Sequence, residues 1–113
     1  MQRLTRRQDF LAAAKAVSYG TPGFLLQARD RQDEGEARVG FTCTKKLGNA
    51  VARNRIKRRL REIARLKLGD IAQPTYDYVM IGRTAAATRD FEKLQSDLIS
   101  AVTKIHSQAT ETK

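Results

Sequence analysis

The segment spanning residues 50–68 constrains this chain more than any other part of its sequence. Wound as an α-helix at about 100° per residue, it divides into an apolar stripe and an opposing basic face. The apolar stripe consists of Ala52, Ile56, Leu60 and Ile63. A stripe of this width docks a helix on a sheet. We therefore expect one long amphipathic helix, which begins after Gly48-Asn49 and ends at Gly69.

The opposite face of this helix carries charge of almost one sign. Between Lys45 and Lys67 the sequence has ten basic residues and one acidic residue, Glu62. Like charges three or four positions apart on a helix repel, at a cost of about 0.2–0.5 kcal/mol per pair. A polyanion would supply the missing counter-charge, and the predominance of arginine favours two-point contacts with phosphate. The segment therefore predicts a nucleic-acid-binding surface.

The rest of the chain is nearly neutral, because it contains twelve basic and eleven acidic residues. The net charge of +10 thus belongs almost entirely to one segment. A merely solubilising face would normally mix signs. A membrane surface is a weaker alternative, because the apolar stripe lacks the aromatic anchors typical of an interfacial helix. A chain of 113 residues has the size of one domain, and we expect its polar tail, residues 107–113, to fray.

Periodicity and turn signals predict the remaining elements. Residues 5–17 and 88–106 have helical patterns, the first with Thr5 and Gln8 at capping-box spacing. Residues 24–29, 38–44 and 76–81 are typical of strands. The first two strands are predicted to form an antiparallel hairpin with a long loop. Helices packed on a small mixed sheet indicate an α+β domain.

Single residues limit the chemistry that the chain can carry. Cys43 is the only cysteine, and we interpret it as a small buried residue rather than a reactive thiol. His106 is the only histidine and is predicted to lie on the surface. Histidine pairs and clustered carboxylates are the usual acid/base and metal-binding groups of protein nucleases. We therefore assign no catalytic residue and no metal site. No apolar run approaches the ~20 residues of a membrane span, so a cytoplasmic location is expected.

The run KKLGNAVARNRIKRRLR, residues 45–61, closely resembles the signature of the bacterial ribonuclease P protein subunit. Arg53-Asn54-Arg55 corresponds to the RNR motif of that family. The pairs RL at positions 3–4 and DF at positions 9–10 agree, as does RVGF at positions 38–41. The resemblance covers residues 3–106.

This resemblance implies a fold and a function. The fold is a four-stranded sheet with three helices in the order αβββαβα, with a left-handed βαβ crossover and an extra short strand near residues 19–23. The function is that of a protein cofactor, with ribonuclease P RNA and the 5′ leader of precursor tRNA as partners. The RNA subunit carries a Mg²⁺-dependent cleavage that removes the leader. Neither DNA nor a membrane is an expected partner.

The resemblance also implies two RNA-contacting surfaces. Contact with the catalytic RNA or the substrate is predicted for Lys45, Lys46, Asn49, Arg53, Asn54, Arg55, Lys57, Arg58, Arg61 and Arg65. A cleft between the first helix and the sheet, which takes the 5′ leader, is predicted to involve Arg3, Arg6, Phe10, Ala14, Leu25, Gln27, Thr42 and Thr44.

Strand alternation supports this cleft independently, because it assigns the small and polar strand residues to one face. Phe24 and Phe41 fall on the other face and are predicted to be structural. Where the family often has further cleft aromatics, this chain has Ala14 and Gln27, so we expect weaker stacking on the leader. Phe10 could stack on a base or anchor the first helix in the core.

Two other classes of protein share some of these features. A structural RNA-binding protein, such as a ribosomal protein or an assembly factor, would share the basic helix but would not need a leader cleft. A DNA-binding helix-turn-helix protein would need a second short helix ahead of the basic one, and no such helix is predicted at that spacing.

Overall fold

A mixed five-stranded sheet organises the computed structural model, which describes residues 1–111 and the side chains of residues 1–107. Its strands are β1 (Gln2–Arg3), β2 (Val17–Gly20), β3 (Phe24–Asp30), β4 (Arg38–Thr42) and β5 (Tyr76–Gly82). They lie in the order β1-β4-β5-β3-β2. The central strand β5 runs parallel to β4 and antiparallel to β3.

Three helices pack on this sheet. They are α1 (Arg7–Ala14), α2 (Ala50–Ile63) and α3 (Phe91–Glu111). A π-helical segment (Ala64–Leu68) and a last turn (Gly69–Ile71) continue α2. Because α2 connects the parallel neighbours β4 and β5, this unit is a βαβ crossover. The left-handedness of the crossover stays a prediction. The α+β class and the predicted order of elements are confirmed, with β1 as an additional short strand.

The predicted antiparallel hairpin between residues 24–29 and residues 38–44 is wrong. Strands β3 and β4 do not pair, because β5 lies between them. All seven residues of β3 pair with β5, and β3 forms its hairpin with the short strand β2 instead. Periodicity within a strand indicates which residues share a face, but it does not identify the neighbouring strand.

The first helix is shorter than predicted at both ends. Arg6, not Thr5, occupies the N-cap position of α1, and no side-chain hydrogen bond caps it. Residues 17–20 belong to β2, where Val17 pairs with Ala28. The hydrogen bonds that pair β2 with β3 therefore outweigh the helical propensity from which the end of α1 was predicted.

Gly69 does not end the second helix as predicted. Its dihedral angles, φ −56° and ψ −33°, are helical, and the chain leaves the helix at Ala72, where ψ is 139°. This exit precedes Pro74 by two residues, and proline disfavours helical geometry in the residue before it. The helix thus ends just ahead of the residue that Pro74 constrains, the usual place for a proline after a helix.

The last helix also differs from the prediction at both ends. It begins at Phe91, where the Asp90 carboxylate accepts a hydrogen bond from the N–H of Lys93 at 3.2 Å and thus caps the first turn. Residues 88–90 instead connect a short 3-10 turn at residues 84–87 to the helix. The helix continues to Glu111, and the fraying expected for residues 107–113 stays a prediction. Residues 112 and 113 of that tail lie outside the described residues.

The main core lies between one face of the sheet and helices α2 and α3. The sheet contributes Phe24, Leu26, Ala28, Tyr78 and Met80, each at most 1% exposed. The apolar stripe of α2 is buried as predicted at Ile56, Leu60 and Ile63. The predicted core face of α3 is also confirmed, with Phe91 half-buried at its start and the other four residues buried: Leu94, Leu98, Val102 and Ile105. Each large aliphatic side chain contributes about 1.5–3 kcal/mol by its burial.

Helix α1 covers part of the opposite face. A small second cluster there contains Leu4, Ala13 and Val79, with Phe10 and Ile81 packed against it. A Cβ atom at Gly40 would lie 2.6 Å from Cε1 of Phe10. The aromatic ring therefore occupies the space directly above Gly40, and only glycine admits it at this distance.

A buried carboxylate on the central strand joins its two neighbours. Asp77 is fully buried on β5. Nη1 of Arg31 donates to its Oδ1 at 2.6 Å, and Arg38 on β4 donates from Nε at 2.7 Å and from Nη2 at 2.8 Å. The hydrogen bonds to Asp77 raise the pKa of Arg38. Asp9 on α1 lies 3.5 Å from Arg38 and 3.6 Å from Arg29, so the first helix joins the same cluster.

We expect Asp77→Asn to lower the free energy of unfolding by about 3–5 kcal/mol, because it leaves buried guanidinium groups without their counter-charge. Urea denaturation monitored by circular dichroism measures this change. Asp33→Asn is the matched control, since Asp33 is a half-exposed partner of Arg31 and its removal should change stability little. Equal losses in the two variants would contradict a special contribution from Asp77.

His106 does not lie free on the surface as predicted. It is half-buried, its Nε2 lies 2.7 Å from the Tyr78 hydroxyl, and its ring packs edge-on against Tyr76 with centroids 4.6 Å apart. Burial lowers the pKa of His106 and raises the pKa of Tyr78 to about 12. The contact forms between the end of α3 and β5, which are 28 residues apart in sequence.

The lowered pKa of His106 predicts a loss of stability in mild acid. An unfolded histidine has a pKa of about 6.5, so below that pH the unfolded chain binds a proton that the folded chain resists. The melting temperature should therefore decrease as the pH is lowered from about 7.5 to about 5.5. His106→Gln, which keeps a hydrogen-bonding group but does not titrate, should reduce this fall. An unchanged pH dependence in the variant would assign the effect to other groups.

Candidate nucleic-acid interface

Helix α2 presents its basic face to solvent because its start and its apolar stripe are both fixed. Asn49 is the N-cap, and its side-chain oxygen accepts from the N–H of Ala52 at 2.9 Å. The buried stripe then orients the opposite face outward. The exposed strip on that face contains Asn54, Arg55, Arg58, Arg61 and Arg65. The predicted amphipathic geometry is confirmed, and the oxygen of Asn49 is occupied by the cap.

One flank of α2 is tied to the segment that precedes α3. Nε of Arg55 donates to the carbonyl of Ala87 at 2.9 Å. Arg59 donates from Nη2 to the carbonyl of Arg89, and its guanidinium lies over the ring of Phe91 at 5.6 Å. These arginines hold the helix against the rest of the fold. Arg55 still has further N–H donors, so it can serve structure and ligand together.

The other flank of α2 lies beside the end of β4. Burial raises the pKa of the Cys43 thiol, and the charges of Lys57, Arg61 and Arg53 act on the same group in the opposite direction. Cys43 is half-buried rather than buried as predicted, and it packs against the core. Arg53 and Lys57 are half-buried, and Nε of Arg53 is buried without a hydrogen bond. Lys45 and Lys46 extend this flank as exposed residues of a short turn, Lys45–Leu47.

The exposed strip is not wholly without counter-charge. Arg65 forms an ion pair with Glu62, and this pair lowers the pKa of Glu62. The counter-charge described as missing from this face is therefore present at this one position. Both side chains are largely exposed, at 67% and 44%, so a phosphate can replace the carboxylate at small cost.

A cleft beside α1 contains part of the second predicted site. Leu25 on β3 and Thr42 on β4 both pair with Ile81 of β5, so the three residues lie side by side on the α1 face. All three are half-buried, as is Phe10, whose ring lies over Gly40. The cleft therefore has an apolar floor with one aromatic ring and one hydroxyl group beside it.

Ile81 was missed as a floor residue of this cleft. Along β5, Val79 and Ile81 lie on one face and Met80 on the other, a pattern that the sequence shows. The position of Ile81 between Leu25 and Thr42, however, depends on the insertion of β5 between β3 and β4.

The remaining predicted cleft residues differ in their access to solvent. Arg6 is exposed at the start of α1, Ala14 is exposed at its end, and Thr44 is exposed two residues beyond β4. Gln27 lies on the α1 face beside the floor but is only 7% exposed. Gln27, which stands where the family often has a cleft aromatic, therefore offers little hydrogen-bonding surface to a ligand.

Arg3 does not belong to this cleft. Its guanidinium lies 5.2 Å from the centroid of the Phe41 ring, and Phe41 packs against the core on the α2 side. The neighbouring Leu4 points to Phe10 and Gly40 instead. Because successive residues of a strand point to opposite faces, the short strand β1 directs Arg3 away from α1. Phe24 is buried as predicted, whereas Phe41 is only partly covered.

Within residues 1–111, no three histidine, cysteine, aspartate or glutamate side chains are grouped so that they could hold a metal ion. The helices in this part of the chain also include none long and apolar enough to cross a membrane.

Comparison with known proteins gives one consistent result. The family model for ribonuclease P matches residues 1–106. The protein named ribonuclease P protein component from Ruegeria pomeroyi is 56% identical over 108 residues, which cover 92% of this chain and 86% of that protein. Its namesake from Caulobacter vibrioides is 49% identical over 102 residues, or 89% of this chain and 68% of that protein.

Solved structures agree with the sequence relatives. The RNase P protein of Staphylococcus aureus matches with a TM-score of 0.75 at 26% identity, covering 93% of this chain and 95% of that one. The RNase P protein of Thermotoga maritima matches with a TM-score of 0.71 at 28% identity, covering 88% and 94%.

The two kinds of arginine on α2 predict two kinds of variant. Arg61→Ala should weaken binding to structured RNA and reduce the slope of log affinity against log salt by about one, with unchanged stability. Arg55→Ala should in addition lower the free energy of unfolding by about 1 kcal/mol, because it removes the hydrogen bond to Ala87. Filter binding over a salt series and urea denaturation measure both quantities. Full affinity of Arg61→Ala at every salt concentration would remove Arg61 from the interface.

Proposed function

Because the chain belongs to the ribonuclease P protein component family, it is a protein subunit of that ribonucleoprotein, and we propose that it binds two RNAs with two different faces. Its partner is ribonuclease P RNA. In this proposal the basic face of α2 contacts that RNA, and the cleft beside α1 takes the 5′ leader of precursor tRNA.

The exposed arginine strip of α2 is the observation that carries the first part of the proposal. Arg58, Arg61 and Arg65 are exposed one turn apart on a rigid helix whose other face is buried. Arginine forks donate two parallel hydrogen bonds to a phosphate. If six to eight cations of α2 and its flanks contact phosphates, affinity falls with salt at a log–log slope of roughly −4 to −8.

The residues of the predicted cleft support the second part through their chemistry. A single-stranded leader exposes its bases, which stack on aromatic rings and are held by neighbouring hydrogen-bonding groups. Phe10 offers a half-buried ring at the edge of the floor, and Thr42 offers a hydroxyl group. Arg6 is exposed at the start of α1 and would add positive charge for the leader backbone.

We assign the cleavage chemistry to the RNA subunit together with Mg²⁺, and an electrostatic function to the protein. Asp77 is locked by Arg31 and Arg38, and His106 is packed against Tyr76 and bonded to Tyr78. These groups therefore already have structural partners. The protein would neutralise phosphate crowding between catalytic RNA and substrate, so it should strengthen substrate binding and lower the Mg²⁺ requirement.

Cleavage of a 5′-extended precursor tRNA at low Mg²⁺ tests this division of labour. The samples are a bacterial ribonuclease P RNA alone, the protein alone, and both together. We expect cleavage at the mature 5′ end only in the mixture. A protein that binds structured RNA with a steep salt dependence but adds nothing to cleavage would instead act as a general structural RNA-binding protein.

The leader cleft predicts a substrate-specific effect of Phe10→Leu. Leucine keeps much of the apolar packing on Gly40 but removes the stacking surface, whose loss is worth about 1–3 kcal/mol per base. The assembled holoenzyme should therefore bind leader-bearing precursor at least several-fold more weakly and mature tRNA equally well. Phe91→Leu, at a half-buried phenylalanine on the opposite side of the sheet, is the matched control. Equal losses for both RNAs would make Phe10 purely structural.

A further inference from the structure

A second concave surface lies on the opposite side of the sheet from the leader cleft. It is an open groove of about 350 Å³ between the β1–β4 edge and the C-terminal part of the α2 helix. Its floor consists of Val39, Phe41 and Ala64, and its basic rim consists of Arg3, Arg61 and Arg65. The leader cleft lies behind the sheet, so the two surfaces cannot hold the same nucleotide.

The floor of this groove offers a stacking surface. Phe41 is only half-buried, and the Arg3 guanidinium lies 5.2 Å from its ring centroid. Arg3 is exposed and stands on a strand of two residues at the edge of the sheet. The Arg3 side chain can therefore move away from the ring and let a planar group insert between the two. A nucleobase suits this position, because aromatic rings and guanidinium planes both stack on nucleobases.

The rim of the groove offers phosphate donors. Arg61 and Arg65 are both exposed and lie one helical turn apart on the side of the helix that borders the floor. Glu62 offsets the charge of Arg65, but this exposed pair can open toward a phosphate. An apolar floor with an aromatic ring inside a rim of three arginines is complementary to a nucleotide, which combines a flat base with an anion.

We propose that this groove holds one unpaired nucleotide of the RNA partner, with its base on Phe41 beneath Arg3 and its phosphates on Arg61 and Arg65. The nucleotide must be unpaired, because a base inside a duplex does not expose its face. This inference rests on the proposed function, since it takes the occupant from the RNA that α2 binds. It adds a base-contacting position to a surface otherwise described by phosphate contacts alone.

Gly69 provides a way to fill the groove without disturbing the fold. It lines the groove, has helical dihedral angles, and a Cβ atom there would meet no heavy atom within 4 Å. Gly69→Leu should therefore fold and place its side chain at the proposed nucleotide position. Ser100→Leu is the matched control, because it adds the same side chain at an exposed position of α3.

The first measurement is the affinity of the three proteins for ribonuclease P RNA at fixed salt. We expect Gly69→Leu to bind on the order of tenfold more weakly than the natural protein, since it loses one stacked base. Ser100→Leu should bind as the natural protein does. Equal affinity of the two leucine variants would overturn the proposal.

The second measurement separates a nucleotide site from a simple anion site. Adenosine 5′-monophosphate, ribose 5-phosphate and inorganic phosphate are titrated into ¹⁵N-labelled protein and into the Gly69→Leu variant. We expect only the nucleotide to shift the amide signals of Phe41 and Gly69 strongly, and only in the natural protein. Equal shifts with all three ligands, or no shift with any, would overturn the proposal.

These results are distinguishable from a failure of the proposed function. The nucleotide titration uses the protein alone, whereas the proposed function is tested by cleavage of precursor tRNA in the reconstituted holoenzyme. Stimulated cleavage without nucleotide shifts rejects the groove and keeps the function. Nucleotide shifts without stimulated cleavage reject the function and keep a base-binding groove.

Discussion

The fold depends on one buried charge at the centre of the sheet. Asp77 on β5 accepts hydrogen bonds from Arg38 on β4 and from Arg31 at the end of β3, the two strands that β5 separates. A buried carboxylate without such partners would cost several kcal/mol, so this arrangement disfavours any strand order that moves β5 away. Asp9 extends the cluster to α1 and so fixes the helix that borders the site proposed for the leader.

The two faces of the ordered sheet differ because each side is covered differently. Helices α2 and α3 fill one side with the main core, and α2 turns its arginines outward from there. The short helix α1 covers only part of the other side, and Phe10 approaches the sheet at Gly40, while Leu25, Thr42 and Ile81 stay half-buried beside it. Several cations serve the fold rather than RNA, among them Arg31, Arg38 and Arg59, whereas Arg55 can serve both.

The sequence predicted well wherever the information was local. The period of α2 gave its buried stripe and its basic strip, and the β-rich segments gave β3, β4 and β5 to within about two residues at each end. Predictions that depended on contacts between distant segments were wrong. The hairpin failed because β5 enters between its strands, Arg3 was assigned to the wrong face because β1 has only two residues, and His106 was placed at the surface because Tyr78 is 28 residues away.

The sequence by itself determined the α+β class, the amphipathic α2, the concentration of charge on it and the family. Each of these follows from residues that are near one another in the chain, where spacing alone decides which side chains share a face. Only the tertiary structure decided the strand order, the floor of the leader cleft at Ile81, and the groove in which Arg3 and Phe41 meet Arg61 and Arg65. These features join side chains from separate elements, and the packing and buried charge that bring those elements together have no local pattern.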